Sequence, residues 1–195
     1  VVHPSVPVKS VEELIALARA KLGELDYGSS GTGTSPNIMM ELFKSMAGVN
    51  IVHIPYKGNA PAITALLSGE VQLAIIDVGF LTPHAKLGKL GGLAVTGATT
   101  SALAPGLPTV AAAGVPGYEA GGMTGIFAPA KTPGAIINRL SQEIVRVLNQ
   151  PDVKEKFFNA GVEVVGSSPE QFASAVKAEI DRLGKVIKDA GIKAD

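Results

Sequence analysis

The run Asp26-Tyr27-Gly28-Ser29-Ser30-Gly31-Thr32-Gly33-Thr34-Ser35-Pro36-Asn37 gathers the groups in this chain best suited to chemistry. It is dense in hydroxyls and glycine amides, and it holds no lysine, arginine or histidine. A short β-like stretch, Leu25 to Tyr27, feeds it, and an amphipathic helix carrying Met39, Leu42, Phe43 and Met46 follows. Pro36 suits a first helical position, with Ser35 or Thr34 as the cap. A strand, a hydroxylated turn and a helix start together make an anion site, because the free N–H groups and the positive end of the helix dipole face the same spot. Known phosphate and nucleophile patterns do not fit. Gly33 is followed by Thr34 where a P-loop has lysine. Pro36 follows Ser35 where a dinucleotide fingerprint would need its third glycine nearby. Gly28-Ser29-Ser30-Gly31-Thr32 ends in threonine where a nucleophile elbow ends in glycine. Neutral donors of this kind, from Ser29, Ser30, Gly31, Thr32, Gly33 and Thr34, suit a small carboxylate better than a polyphosphate. The competing reading is an ordinary Gly/Ser turn before a helix.

Other candidate groups are sparse. His3, His53 and His84 are scattered and form no metal-spaced cluster, so each reads as a structural or surface histidine. Asp77 follows an apolar strand, where capping or ligand contact fits better than catalysis, since no second acid, histidine or metal set accompanies it. Lys57 is the only cation near these loops, placed either to attract an anion or to lie solvated. Tyr56 fits a pocket wall or a packed strand end. No catalytic constellation, metal site or cofactor motif is expected. The rival functional reading is an enzyme acting on a small carboxylate through Ser30 or Asp77.

The elements that would position these groups follow from periodicity and punctuation. Ser10-Val11-Glu12-Glu13 is a capping box opening a helix through Ala18 and Leu22, with Gly23 as its stop. Gly48 ends the helix after the donor loop, and Ile51 to Pro55 alternates as a strand. Tyr56-Lys57-Gly58-Asn59 is a second loop opening a helix with Ile63, Leu66 and Leu67 on one face and Gly69 as its stop. Val71 to Ile76 is a continuous apolar strand ending at Asp77. A short helix around Pro83 to Leu87 precedes a strand over Gly92 to Thr96, and another short helix is expected near Thr109 to Ala113. Repeated β-loop-α order argues for α/β with a mostly parallel sheet, whose ligands bind beyond the carboxyl ends of the strands. Residues 28–35, 56–60 and the turn at Asp77-Val78-Gly79 all fall there, and they are expected to converge on one crevice. Further on, Met123 to Ala128 and Val162 to Val165 read as strands, Thr132-Pro133 and Asp152 as helix starts, and Ser168-Pro169-Glu170-Gln171 as the cap of a final helix.

Bulk properties bound the answer. The chain has 195 residues, 46% of them hydrophobic, and its 17 basic and 17 acidic side chains balance. That excludes the basic excess expected of a nucleic-acid binder. Cysteine is absent, so disulfides and cysteine-ligated metals are excluded. No apolar run is long enough to span a bilayer, and Val1-Val2-His3-Pro4 does not read as a signal peptide.

Tyr27-Gly28-Ser29-Ser30-Gly31-Thr32-Gly33-Thr34-Ser35-Pro36, Glu41-Leu42-Phe43-Lys44 and His53-Ile54-Pro55-Tyr56-Lys57-Gly58 closely resemble segments of the Bug-type solute receptors of tripartite tricarboxylate transporters. Leu93-Ala94-Val95-Thr96, Leu107-Pro108-Thr109-Val110, Gly114-Val115-Pro116-Gly117-Tyr118, Phe127-Ala128-Pro129-Ala130 and the stretch from Gly184 to Ile192 continue the resemblance in order. It implies a periplasmic-binding-protein-like fold, with two Rossmann-like lobes around a cleft and mostly parallel sheets. It also implies a periplasmic location and a small organic anion as ligand: a di- or tricarboxylate, an acidic amino acid or an aromatic acid. Membrane permease subunits would be the partner. The loop at 28–34 would hold a ligand carboxylate, with Tyr56, Lys57, Gly58 and Asp77 facing the cleft. Residues 1–119 would be a complete second lobe, and 120–195 the returning part of a first lobe whose N-terminal part is absent from this chain. Such a part would satisfy its open edges with the missing segment, or by dimerising or exchanging elements. A truncated lobe without ligand affinity is the third reading.

Overall fold

A computed structural model describes residues 1–192, which form two compact units. The first is Val1–Gly121 together with residues 183–192, and the second is Gly122–Arg182.

The first unit is built on a parallel sheet. Strand β1 (Asp26–Ser29) lies at its centre, between β2 (Val52–Pro55) and β3 (Leu73–Ala74). Tyr27 is in register with His53 on one side and Leu73 on the other. Helix α1 (Val11–Ala20) precedes the sheet, α2 (Ser35–Ala47) connects β1 to β2, α3 (Asn59–Ser68) connects β2 to β3, and α4 (Val78–Lys86) follows β3. The chain moves from β1 outward to β2, then back across β1 to β3. Right-handed crossovers taken in opposite directions place their helices on opposite faces of the sheet. Alternation along β1 serves both faces. Tyr27 and Ser29 point one way, Tyr27 bonding Glu41 and Asn37 of α2 and Ser29 meeting His53 of β2. Gly28 faces the other way, where a Cβ would lie 3.1 Å from Val71 and 3.4 Å from the Tyr56 ring, so that glycine lets the second layer sit close. The main core gathers Tyr27, Ile51, Leu73, Phe43 and Tyr118, with Leu183 and Val186 packed against it.

Local chemistry sets the helix ends. Ser10 caps α1 by accepting from the Glu13 N–H at 3.2 Å, while the Glu13 carboxylate accepts from the Lys9 N–H at 2.7 Å, one residue before the partner a capping box uses. Helix α1 ends at Ala20 and leaves Leu22 exposed beyond it, short of the expected length. Gly48 closes α2 and Gly69 closes α3 as expected, both in the left-handed conformation.

Several elements differ from the sequence expectation. Val71 to Ile76 pairs with β1 only over Leu73–Ala74, and Gly92 to Thr96 contributes a single bridge, Val95 to Thr109. Thr109 to Ala113 closes one turn without becoming a helix. Helix α4 starts at Val78, right after Asp77, and takes Pro83 into its interior, whereas the proline was expected to mark the helix start. Met46 on α2 is exposed, not core.

In the second unit, α5 (Gly134–Leu148), α6 (Pro151–Asn159) and most of α7 (Pro169–Asp189) follow the periodicity. Ser168 and Gln171 cap α7 reciprocally, N–H to Oγ at 3.2 Å and N–H to Oε1 at 2.9 Å. The expected strands Met123 to Ala128 and Val162 to Val165 are irregular. An apolar run records which side chains want burial, but a strand also needs a hydrogen-bonding neighbour. Neither run has one among the described residues.

Candidate functional site

The donor loop leaves the end of β1 and enters α2. Because the strands are parallel, the ends of β1, β2 and β3 lie on one edge of the sheet, and the loops after them share that edge. Two of the loops are tied together: Tyr56 N–H donates to Ser29 O at 3.0 Å, and Gly58 N–H to Ser30 O at 3.2 Å. Asp77, after β3, is exposed and makes no hydrogen bond to either loop among the described residues. It sits at the cap position of α4 without a side-chain capping bond.

Each loop residue has a distinct place. Ser29 is 2% exposed, and its Oγ lies 2.7 Å from His53 Nε2 and 3.1 Å from Gly31 O. It therefore serves the loop from behind. Gly31 has φ +133°, a backbone region that side chains avoid, and its N–H returns to Ser29 Oγ at 3.2 Å. Thr34 is the residue before α2, and its hydroxyl donates to Gly31 O at 2.7 Å, leaving α2 without a side-chain cap. Gly33 N–H donates to Asn37 Oδ1 at 2.9 Å. The hydroxyls of Ser30 and Thr32 are half-buried and make no hydrogen bond among the described residues, and neither do the first-turn N–H groups of Ser35 and Asn37. Those are the donors open to a ligand.

Tyr56 contributes its backbone to the loop junction. Its ring lies over Gly28 and its hydroxyl donates to Glu70 at 2.8 Å; burial, then Glu70, pushes the phenol up to about 12. Lys57 is exposed, and Gly58, at φ +110°, precedes α3.

A buried polar network backs the loop. Asn37, 2% exposed, donates from Nδ2 to the Tyr27 hydroxyl at 2.7 Å and approaches His53 Nδ1 at 3.4 Å. The Tyr27 hydroxyl donates to Glu41 Oε1 at 2.7 Å, and Lys44 Nζ binds the same oxygen at 2.7 Å. The His53 and Tyr27 rings stack, with centroids 4.8 Å apart. Burial, reinforced by Glu41, holds the Tyr27 phenol well above the usual tyrosine range, so it stays neutral. Burial also lowers His53 below its ordinary value, Glu41 opposing and Lys44 assisting, so the imidazole is neutral near pH 7. His53 is thus a hydrogen-bonded structural histidine, as expected. Asn37 and Glu41 were not singled out from the sequence as site residues. Their spacing with Lys44 (i, i+4, i+7) is a polar stripe on one helix face, and that is the signal that marks them.

The arrangement offers hydroxyl and amide donors at a helix start, with no cationic side chain in the loop and no group of three or more potential metal ligands among the described residues. The description "Tripartite tricarboxylate transporter family receptor" belongs to the family that matches residues 1–192. The chain belongs to this family. Among its relatives, Protein BugT of Bordetella pertussis is 32% identical over 193 residues, covering 99% of this chain and 59% of BugT. Among solved structures, R. palustris Rpa4515 with adipate superposes with TM-score 0.87 at 40% identity, covering 98% of this chain and 64% of that one. MatC from Rhodopseudomonas palustris with bound malate gives TM-score 0.80 at 27% identity, covering 95% and 64%. The chain therefore has the α/β, periplasmic-binding-protein-like fold, and it spans a little under three fifths of the length of curated relatives such as BugT. None of its described helices is long and apolar enough to cross a membrane.

Proposed function

We propose that this receptor chain captures a small organic carboxylate at the loop between β1 and α2, in the periplasm, for delivery to the membrane permease of a tripartite transporter. The observation that carries the reading is the loop itself. Ser30 and Thr32 present unbonded hydroxyls beside the open N–H groups of α2, while Ser29, Gly31 and Thr34 bond one another. Neutral donors at a helix dipole stabilise a carboxylate without a counter-cation. The adipate and malate held by two similar solved proteins support a dicarboxylate as the first ligand class to test. Tricarboxylates, acidic amino acids and aromatic acids form the rest of the panel. On this reading residues 1–119 are the lobe that carries the loop and residues 120–182 belong to the other lobe, with Leu183 and Val186 packing back against the core of the first.

Calorimetric titration of the protein with this panel tests the reading, with the recovered ligand checked by mass spectrometry for chemical change. One carboxylate should bind and return unaltered. Ser30→Ala or Thr32→Ala should weaken that binding by about 1–3 kcal/mol, the effect of leaving a desolvated carboxylate one partner short. Equal affinity in both variants would remove the site, and a converted ligand would favour an enzyme acting through Ser30 or Asp77.

A further inference from the structure

The polar network behind the loop fixes proton positions, and those positions shape the loop. Gly33 N–H can only donate, so the Asn37 atom it meets at 2.9 Å is the carboxamide oxygen. The Asn37 amino group therefore faces Tyr27 and His53. One of its protons goes to the Tyr27 oxygen, whose own proton goes to Glu41. The other points at His53 Nδ1, which must accept it. A neutral imidazole that accepts at Nδ1 carries its proton on Nε2. That proton faces Ser29 Oγ at 2.7 Å, so Ser29 accepts from His53 and spends its single proton on Gly31 O. Gly31 is then held at its N–H by Ser29 and at its carbonyl by Ser29 and Thr34.

We propose that Asn37 and His53 are positioning residues for the donor loop: Asn37 selects the Nε2–H tautomer of His53, and that tautomer, through Ser29, locks Gly31 so that Ser30 and Thr32 are set outward before any ligand arrives. The inference rests on the loop being the ligand site, and it adds how that site is preorganised. The opposite tautomer would set the Nδ1–H against the Asn37 amino group, two donors face to face. It would also draw the Ser29 proton to Nε2, away from Gly31.

Nitrogen NMR of the isotope-labelled protein, without ligand, tests this. In the wild type the His53 proton should sit on Nε2. Asn37→Asp keeps an acceptor for Gly33 but presents a carboxylate oxygen to Nδ1, so it should move the proton to Nδ1. A merely structural asparagine would produce no such transfer. His53→Phe keeps the stack on Tyr27 but loses the donor, and hydrogen exchange at the Gly31 amide should rise about tenfold or more. His53→Gln, which can place an amide N–H near the Nε2 position, should restore slow exchange. A wild-type proton on Nδ1 would overturn the proposal. So would Gly31 exchange in His53→Phe within about twofold of wild type. These readouts need no ligand, so failure of adipate to bind in a parallel titration would count against the proposed function and leave the positioning role standing.

Discussion

Replacing Tyr27 with phenylalanine isolates one hydroxyl at the centre of the network. The phenyl ring keeps the stack on His53 and stays beneath Lys44, whose Nζ lies 5.6 Å from the ring centroid. Only the oxygen is lost, along with its bonds of 2.7 Å to Glu41 and 2.7 Å to Asn37. A hydrogen bond to a charged acceptor contributes about 1.5–3 kcal/mol, and a buried N–H stripped of its partner costs about 1–3 kcal/mol. Glu41 is not orphaned, because Lys44 stays 2.7 Å away and the Glu41 side chain is 16% exposed. That places the sum in the lower part of the range, at about 2.5–4 kcal/mol. Urea unfolding followed by circular dichroism reads this directly. In a chain of this size the same loss lowers the melting temperature by about 5–16 °C. The Asn37→Ala variant and the double variant complete a cycle, and a shared buried bond should give a coupling of about 0.5–3 kcal/mol. A Tyr27→Phe loss below about 1 kcal/mol with additive double-variant behaviour would refute the reasoning, since the hydroxyl would then be no better bonded in the fold than in water.

Two more outcomes follow. Burial lowers His53 below its ordinary value of 6.5, so the unfolded chain takes up the proton first. The stability this contributes is present above about pH 6.5 and is lost as pH falls from there toward the lower folded value; Glu41 and Lys44 on α2 and neutral Tyr27 on β1 are the groups facing the ring. Urea midpoints at several pH values should show His53→Gln with a flatter slope over that window, and parallel slopes would contradict it. Gly48, at φ +63° and with open space around its Cβ position, should lose about 1–2 kcal/mol on change to alanine from backbone strain alone, with Gly48→Asn milder; equal unfolding midpoints for Ala and Asn would contradict that.

Much of the helical layout of both units can be read from the sequence because the cues are local. Ser10, Gly48, Gly69 and the Ser168–Gln171 box mark helix ends within a few residues of themselves, and the donor loop is contiguous. The sheet is harder to read. Val71 to Ile76 and Gly92 to Thr96 carry the composition of strands, but how much of each pairs depends on neighbours distant in sequence. Pro83 misled for a related reason: its ring suits a helix start, yet Asp77 already supplies the extended residue from which α4 begins. The backing network was the least legible part of the site. Tyr27 and Ser29 on one strand face, His53 in register beside them, and Asn37, Glu41 and Lys44 on one helix face each make an unremarkable pattern alone. Only the crossover of α2 over the sheet brings the three patterns together.

The division of labour within the loop bears on how the proposed site could change ligands. The side chains of Ser30 and Thr32 bond no other part of the molecule among the described residues, and only the Ser30 backbone ties in the second loop, whereas Ser29, Gly31, Thr34 and Asn37 each hold a neighbour in place. Side chains at positions 30 and 32 can therefore be exchanged at little cost to folding, while changes at 29, 31 or 37 disturb the scaffold first. On the proposed reading of the site, selectivity and foldability are written in alternate letters of one short word, and a lineage, or a protein engineer, can respell the first without erasing the second.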